Sequence, residues 1–417
     1  MPAATDAAAE AALGQLLITP EGRADPYPLY RLIRETAPVL RTSTDVIVLS
    51  RYDDCLTALR DPRLGRGVLD REDGPRQGAV AGGADPKLRQ EFFERGRDNM
   101  LFSDPPNHTR LRRLVSRVFT PRRVELLRPA VDVMVRDILD VMADKGESDV
   151  MTDLAFPLPV AVIGELVGVP AADRPGFQPL VRASTVGLEP FVDDEGLRGV
   201  FAAQDQMRAY FEDLLAERRR HPTDDLLSGL AEASEHDDLL TDAEIISTSI
   251  LLFAAGFETT TNLIGNGLLA LLRSPDQFDV LRRDPSVTES AVEELLRFDS
   301  PVQVNSRTAL EPAQLLGDPI DEGQVVLVLQ GAANRDPERF DHPDQLDLRR
   351  GDNAPLSFGW GIHHCLGAAL ARMEGEVVFR ALAERFESVE LTSESVEWRP
   401  GITLRGLAAL PVGLQPA

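Results

Sequence analysis

One cysteine in this chain stands where a thiol can be made into a ligand. Cys365 lies in the stretch Phe358-Gly359-Trp360-Gly361-Ile362-His363-His364-Cys365-Leu366-Gly367. After it, apolar residues recur at helical spacing through Ala368, Leu370, Ala371, Val377, Val378 and Leu382, which predicts a helix from about Gly367. At a helix start the unpaired N–H groups and the positive dipole end favour a sulfur anion and lower its pKa. Gly359 and Gly361 let the loop pass close to a flat partner, and Phe358 can cover the sulfur. A buried cysteine is more often simple packing, but the flanking glycines and histidine argue against that here. Zinc is a poor fit, because consecutive His363, His364 and Cys365 cannot easily converge on one tetrahedral ion. The other cysteine, Cys55, has no histidine nearby and reads as packing.

A second candidate lies on the longest predicted helix, Thr241 to Ser274, which opens with a Thr241-x-x-Glu244 capping box and stops at Pro275. Its middle is apolar almost all round, so it must run through the protein interior. A transmembrane span is disfavoured by Glu258 at its centre, since a mid-membrane acid costs about 2.5–3.5 kcal/mol. The interruption reads Ala254-Ala255-Gly256-Phe257-Glu258-Thr259-Thr260. Gly256 would let the helix loosen locally. Thr259 offers a hydroxyl donor and Glu258 a proton relay, although a mid-helix threonine commonly bonds its own backbone.

The pattern Phe-Gly-x-Gly-x-His-x-Cys-x-Gly resembles the haem-ligand loop of the cytochrome P450 family at every fixed position, and Ala255-Gly256-x-Glu258-Thr259 resembles that family's oxygen-activating motif. The resemblance implies a mainly α protein with a smaller β-rich part and a long central helix over haem b. It makes Cys365 the iron ligand, with Phe358, Gly359 and Gly367 around it and Ala255 and Gly256 on the opposite side. His108, Arg112, Arg307 and His363 would hold the propionates, and Glu258 and Thr259 would deliver protons. Glu294 and Arg297 match a core Glu-x-x-Arg pair that steadies the ligand loop. A usual third partner, arginine, is replaced by Gln345, leaving Arg349 or Arg350 as substitutes.

The implied activity is monooxygenation, that is, hydroxylation or epoxidation of an apolar small molecule (fatty acid, terpenoid or steroid, or polyketide) by dioxygen. Its electron donors would be ferredoxin and ferredoxin reductase. A peroxide-driven haem oxygenase and a non-catalytic haem sensor are the competing readings, and neither needs both Glu258 and Thr259. Leu252, Phe253 and Phe257 are expected to line the substrate pocket, with Val302, Val304 and Asn305 on a substrate-facing strand.

Composition sets the frame. The chain has 417 residues, 43% hydrophobic and 27% charged, with two cysteines and a net charge of −24. These values suit an ordinary globular protein in a reducing cytoplasm and oppose binding to nucleic acid or anionic lipid. The Ala-rich start lacks the basic and apolar regions of a signal peptide, so no membrane anchor is expected. No linker divides the chain, which reads as one domain over 1–417, monomeric, with residues 1–20 poorly ordered. Within the acidic background, residues 106–124 form a basic island. At about 100° per residue, Arg110, Arg113 and Arg117 share an outward face, expected to dock an acidic iron–sulfur donor that the family resemblance makes a small ferredoxin, while His108 and Arg112 point inward. Strands are expected at Val39-Leu40-Arg41, Val46-Ile47-Val48-Leu49 and within Val389–Leu414, and a long loop with one helix over 66–100.

Overall fold

The computed structural model describes residues 4–66, 84–96, 98–190, 192–237, 240–393 and 395–417. It is mainly helical with smaller sheets. The central helix runs Asp242–Leu272, with Thr241 as N-cap and the full capping box to Glu244 in place. Its 31 residues span about 45 Å at 1.5 Å per residue. Leu252, Phe253, Phe257, Leu263, Ile264 and Leu268 are all buried in the main core, on several sides of the helix. The helix Pro157–Val167 packs across it, where a Cβ at Gly256 would come within 2.9 Å of the Ile163 side chain. The helix is continuous through Gly256. The glycine there permits close helix packing and does not loosen the helix as its sequence suggests.

The largest sheet orders its strands Val39–Arg41, Ile47–Leu49, Val325–Leu329, Val304–Ala309 and Leu64–Gly65. All pairs are antiparallel except Ile47–Leu49 with Val325–Leu329. Buried residues on both faces suit these short runs of valine, isoleucine and leucine. A three-stranded sheet joins Glu147–Asp149, Pro411–Pro416 and Phe386–Leu391. Only the ends of the expected Val389–Leu414 stretch are therefore strand.

The N-terminus departs from expectation. Residues Ala4–Ile18 form a helix, and Ala9, Ala12, Leu13 and Leu16 are buried in one cluster with Tyr30 and Ile33. Their spacing is a helical stripe, and alanine lets that stripe approach closely. Ala-rich composition alone suggested disorder because it hides this pattern. In the 66–100 region the helix Pro86–Gly96 is present, while 67–83 lies outside the described residues. Among the described residues no helix is long and apolar enough to cross a membrane, and no metal-binding cluster of His, Cys, Asp and Glu occurs. Cys55 is fully buried, and its Sγ donates to the Leu49 carbonyl at 3.4 Å, as packing predicts.

Candidate active site

A cavity of about 540 Å³ lies between the central helix and the Cys365 loop. The residues expected from the sequence to hold the cofactor or deliver protons all line it: His108, Arg112, Ala255, Gly256, Glu258, Thr259, Arg307, Phe358, Gly359, His363, Cys365 and Gly367.

The loop is fixed by its backbone. Gly359 and Gly361 adopt φ of 66° and 71°, and a Cβ at Gly361 would meet the Leu59 carbonyl at 2.6 Å, so glycine is required there. Cys365 N–H donates to the Phe358 carbonyl at 2.9 Å, closing the loop. The following helix, Ala368–Arg385, has Gly367 as its N-cap. Cys365 is exposed to the cavity. Burial pushes its thiol pKa up, opposed by the Gly367 N–H, Arg112 and Arg372. The helix-end effect expected from sequence is present but outweighed by desolvation. The Phe358 ring stacks with the Arg372 guanidinium, 4.4 Å from the ring centre.

Behind the loop, Arg297 and Glu294 are wholly buried and bidentate, at 2.7 and 2.8 Å. Arg297 also donates to the carbonyls of Asn334, Pro343 and Gln345. Asn334 in turn accepts from Leu356 N–H and donates to Ser357 Oγ, so the pair is wired to the start of the ligand loop. The third partner is Arg350, whose Nε reaches the two Glu294 oxygens at 3.0 and 3.2 Å. Arg349 instead pairs with Asp284, and Gln345 contributes only its backbone.

At one edge of the cavity lie His108, Arg112, Arg307 and His363, joined by Arg66, which sequence reading missed. The His108 and His363 rings lie 4.3 Å apart. Arg112 donates to the His364 carbonyl at 2.6 Å. Arg66 and Arg307 share the Asn305 side-chain oxygen at 2.5 Å each, which commits that oxygen of the expected substrate-facing Asn305. Burial is the first cause lowering the pKa of every member: Arg66 to about 10, Arg307 to about 9 and His363 to about 4, with His108 and Arg112 also lowered. Mutual repulsion adds to this for Arg307, His363 and His108.

Among the described residues, both ring nitrogens of His108, Nε2 of His363 and Nε of Arg66 are buried without a hydrogen-bond partner. Asp104 stands 3.9 Å from His363 Nε2, too far to bond it. Buried polar atoms left unpaired cost about 1–3 kcal/mol each, and carboxylates on the edge of a macrocycle would pair them. The residues present thus fit a haem, with a cysteine sulfur facing the same cavity.

On the central helix, Thr259 Oγ1 donates to the Ala255 carbonyl at 2.7 Å, the i−4 back-bond open to it from sequence. Glu258 is 3% exposed and forms an ion pair with Arg399, whose second terminal nitrogen bonds Asn262 Oδ1. Arg399 carried no sequence signal, because it arrives from a distant C-terminal segment. Leu252, Val302 and Val304 line the cavity, but Phe253 and Phe257 do not. They belong to an aromatic cluster with Phe156, Phe177 and Phe211, on the side of the helix that is packed against its neighbours.

Arg113 and Arg117 are exposed, as the outward face predicts. Arg110 is not available to a partner, since its guanidinium bonds both carboxylate oxygens of Glu244 at the start of the central helix.

The sequence pattern described as Cytochrome P450 matches residues 197–413. Cytochrome P450 107B1 of Saccharopolyspora erythraea is 41% identical over 396 residues, covering 93% of this chain and 95% of its own. The vitamin D(3) 25-hydroxylase of Pseudonocardia autotrophica is 40% identical, covering 94% of each. The ligand-free crystal structure of Mycobacterium smegmatis CYP164A2 superposes with a TM-score of 0.87 at 38% identity, over 97% of this chain and 100% of that one. With the loop, the core pair and the cationic edge in this arrangement, the chain belongs to the cytochrome P450 family, oxidoreductases whose cofactor is a haem-thiolate iron.

Proposed function

We propose that this chain, as a single domain, binds haem b through the Cys365 thiolate and inserts one atom of dioxygen into an apolar small molecule, using two electrons from a ferredoxin served by ferredoxin reductase. The observation that carries this reading is the position of Cys365 in the wall of the same cavity as Glu258, Thr259 and the buried cationic edge. A haem on a cysteinate supplies reductive cleavage of the O–O bond, favoured by electron donation from sulfur. The chain supplies what surrounds that chemistry. Arg66, His108, Arg112, Arg307 and His363 would hold the propionates, and Phe358, Gly359, Gly367, Ala255 and Gly256 would line the macrocycle.

Thr259 releases its back-bond to Ala255 and donates its hydroxyl proton into the cavity. Glu258 takes up a proton from solvent and passes it to the Thr259 hydroxyl, which restores both groups. The side chains of Leu251, Leu252, Val302 and Val304 exclude water and orient an apolar substrate, hydroxylated or epoxidised at the carbon they present. The similarity to a vitamin D(3) hydroxylase supports a bulky apolar substrate, with fatty acids and polyketides in the same range. A peroxide-driven oxygenase would leave Glu258 and Thr259 without a task.

The test is the spectrum of the reduced carbonyl complex together with turnover. Cys365→Ser is expected to remove the thiolate signature and monooxygenation, and Cys55→Ser to leave both. The reverse pattern would overturn the ligand assignment.

A further inference from the structure

Among the described residues six arginines line the cavity, in a protein whose net charge is −24. Arg66, Arg112 and Arg307 belong to the cationic edge already described. Arg89 donates to the Ala84 carbonyl at 2.7 Å, and Arg95 is held between Glu91 and Asp205. Arg208, half-buried on the helix Asp194–Arg220, has no hydrogen bond or ion pair among the described residues. One turn before it, Gln204 also lines the cavity, with its Oε1 buried and unpartnered. Residues four apart share a helix face, so the two side chains can act on one group.

We propose that the substrate is an apolar molecule bearing one carboxylate, received by Arg208 with Gln204. This rests on the reading of the cavity as a substrate chamber. A guanidinium partly removed from water is stabilised by a charge-assisted, bidentate bond to a carboxylate, and the Gln204 amide, turned so that Nε2 rather than Oε1 faces the ligand, donates alongside it. Neither acid on the cavity wall competes. Glu189 accepts N–H from Ile402 and Thr403 at 2.8 and 3.2 Å, and Glu258 is paired with Arg399. One guanidinium and one neutral amide balance a single negative charge, which matches a carboxylate better than a phosphate dianion. The apolar remainder lies along Phe92, Leu251 and Val302.

The experiment is calorimetric titration of the haem-loaded protein with tetradecanoic acid and with its methyl ester. The acid is expected to bind about tenfold or more tightly than the ester, in line with a hydrogen bond to a charged group. Arg208→Gln is expected to abolish that difference while leaving ester affinity within about twofold, and Arg208→Lys to keep most of it, because Lys retains the charge without the fork. Equal binding of acid and ester by the parent, or unchanged acid binding by Arg208→Gln, would overturn the proposal. The thiolate signature is read in the same samples and reports on Cys365 alone. Absence of the acid–ester difference with that signature intact therefore overturns the anchor and leaves the ligand assignment standing.

Discussion

Arg399 holds the buried Glu258 carboxylate with one terminal nitrogen and the Asn262 side-chain oxygen with the other. Glu258 is thereby held inside the fold beside a cation, next to Thr259. Removing the cation should leave the buried carboxyl group without its partner. Arg399→Met is expected to destabilise the protein by about 3–5 kcal/mol, as for other broken buried pairs. The double variant Glu258→Gln/Arg399→Met should recover part of the loss. Denaturant unfolding of the four proteins measures the coupling, and strictly additive changes would show that the pair does not act as a unit.

Thr259→Ala should leave stability almost unchanged, since alanine is the better helix former and only a back-bond to Ala255 is lost. Product formed per reducing equivalent should fall severalfold, with the electrons appearing as hydrogen peroxide. Unchanged coupling would remove Thr259 from proton delivery.

Arg350→Ala deprives Glu294 of its second guanidinium and the Asp341 carbonyl of a 2.7 Å donor. The expected cost is about 2–3 kcal/mol, together with faster loss of haem on heating. Gln345→Ala, at an exposed side chain, should stay within about 0.5 kcal/mol of the parent. Thermal unfolding and haem release distinguish the two.

Electron delivery should depend on Arg113 and Arg117 and little on Arg110, which is occupied by Glu244. Arg113→Gln/Arg117→Gln is expected to slow reduction by ferredoxin at low salt and flatten its salt dependence, because steering between exposed charges is screened over about 8 Å at physiological ionic strength. Stopped-flow reduction across a salt series measures this, and kinetics identical to the parent would exclude the face.

Stability should carry a pH signature from Glu374, buried in the helix behind the ligand loop. Burial pushes its carboxyl from 4.5 to about 8. The folded state keeps the proton while the unfolded chain releases it above its ordinary value, so stability falls as pH rises from that value through the folded one. Glu374→Gln, which cannot ionise, should therefore be more stable than the parent by about 3 kcal/mol at pH 7. The gain should shrink as the pH drops toward 5, which denaturant titrations at several pH values would reveal.

What could be read from the sequence was what is encoded locally. The central helix was legible from Thr241, Glu244 and Pro275 because caps and breakers act within one turn. Gly359 and Gly361 were legible because a backbone at positive φ leaves its mark on residue type. Arg66 and Arg399 were not. The first reaches the site because Leu64–Gly65 pairs with Thr308 and Ala309. The second comes with a C-terminal segment held by the Val302–Leu404 and Trp398–Leu407 bridges. Phe253 and Phe257 were assigned to the wrong side because a helix apolar all round does not announce which face meets a cavity.

The parallel pairing of Ile47–Leu49 with Val325–Leu329 has a consequence for biosynthesis. The early strand leaves the ribosome long before its partner exists, and at about 5–20 residues per second the wait is roughly 15–55 s. Throughout that interval the apolar Ile47-Val48-Leu49 edge is paired on one side only, with Val39–Arg41. Nascent chains, and any truncated before Leu329, therefore carry an open strand edge that can template pairing with other chains. This places a need for chaperone cover during synthesis within the first eighth of the polypeptide.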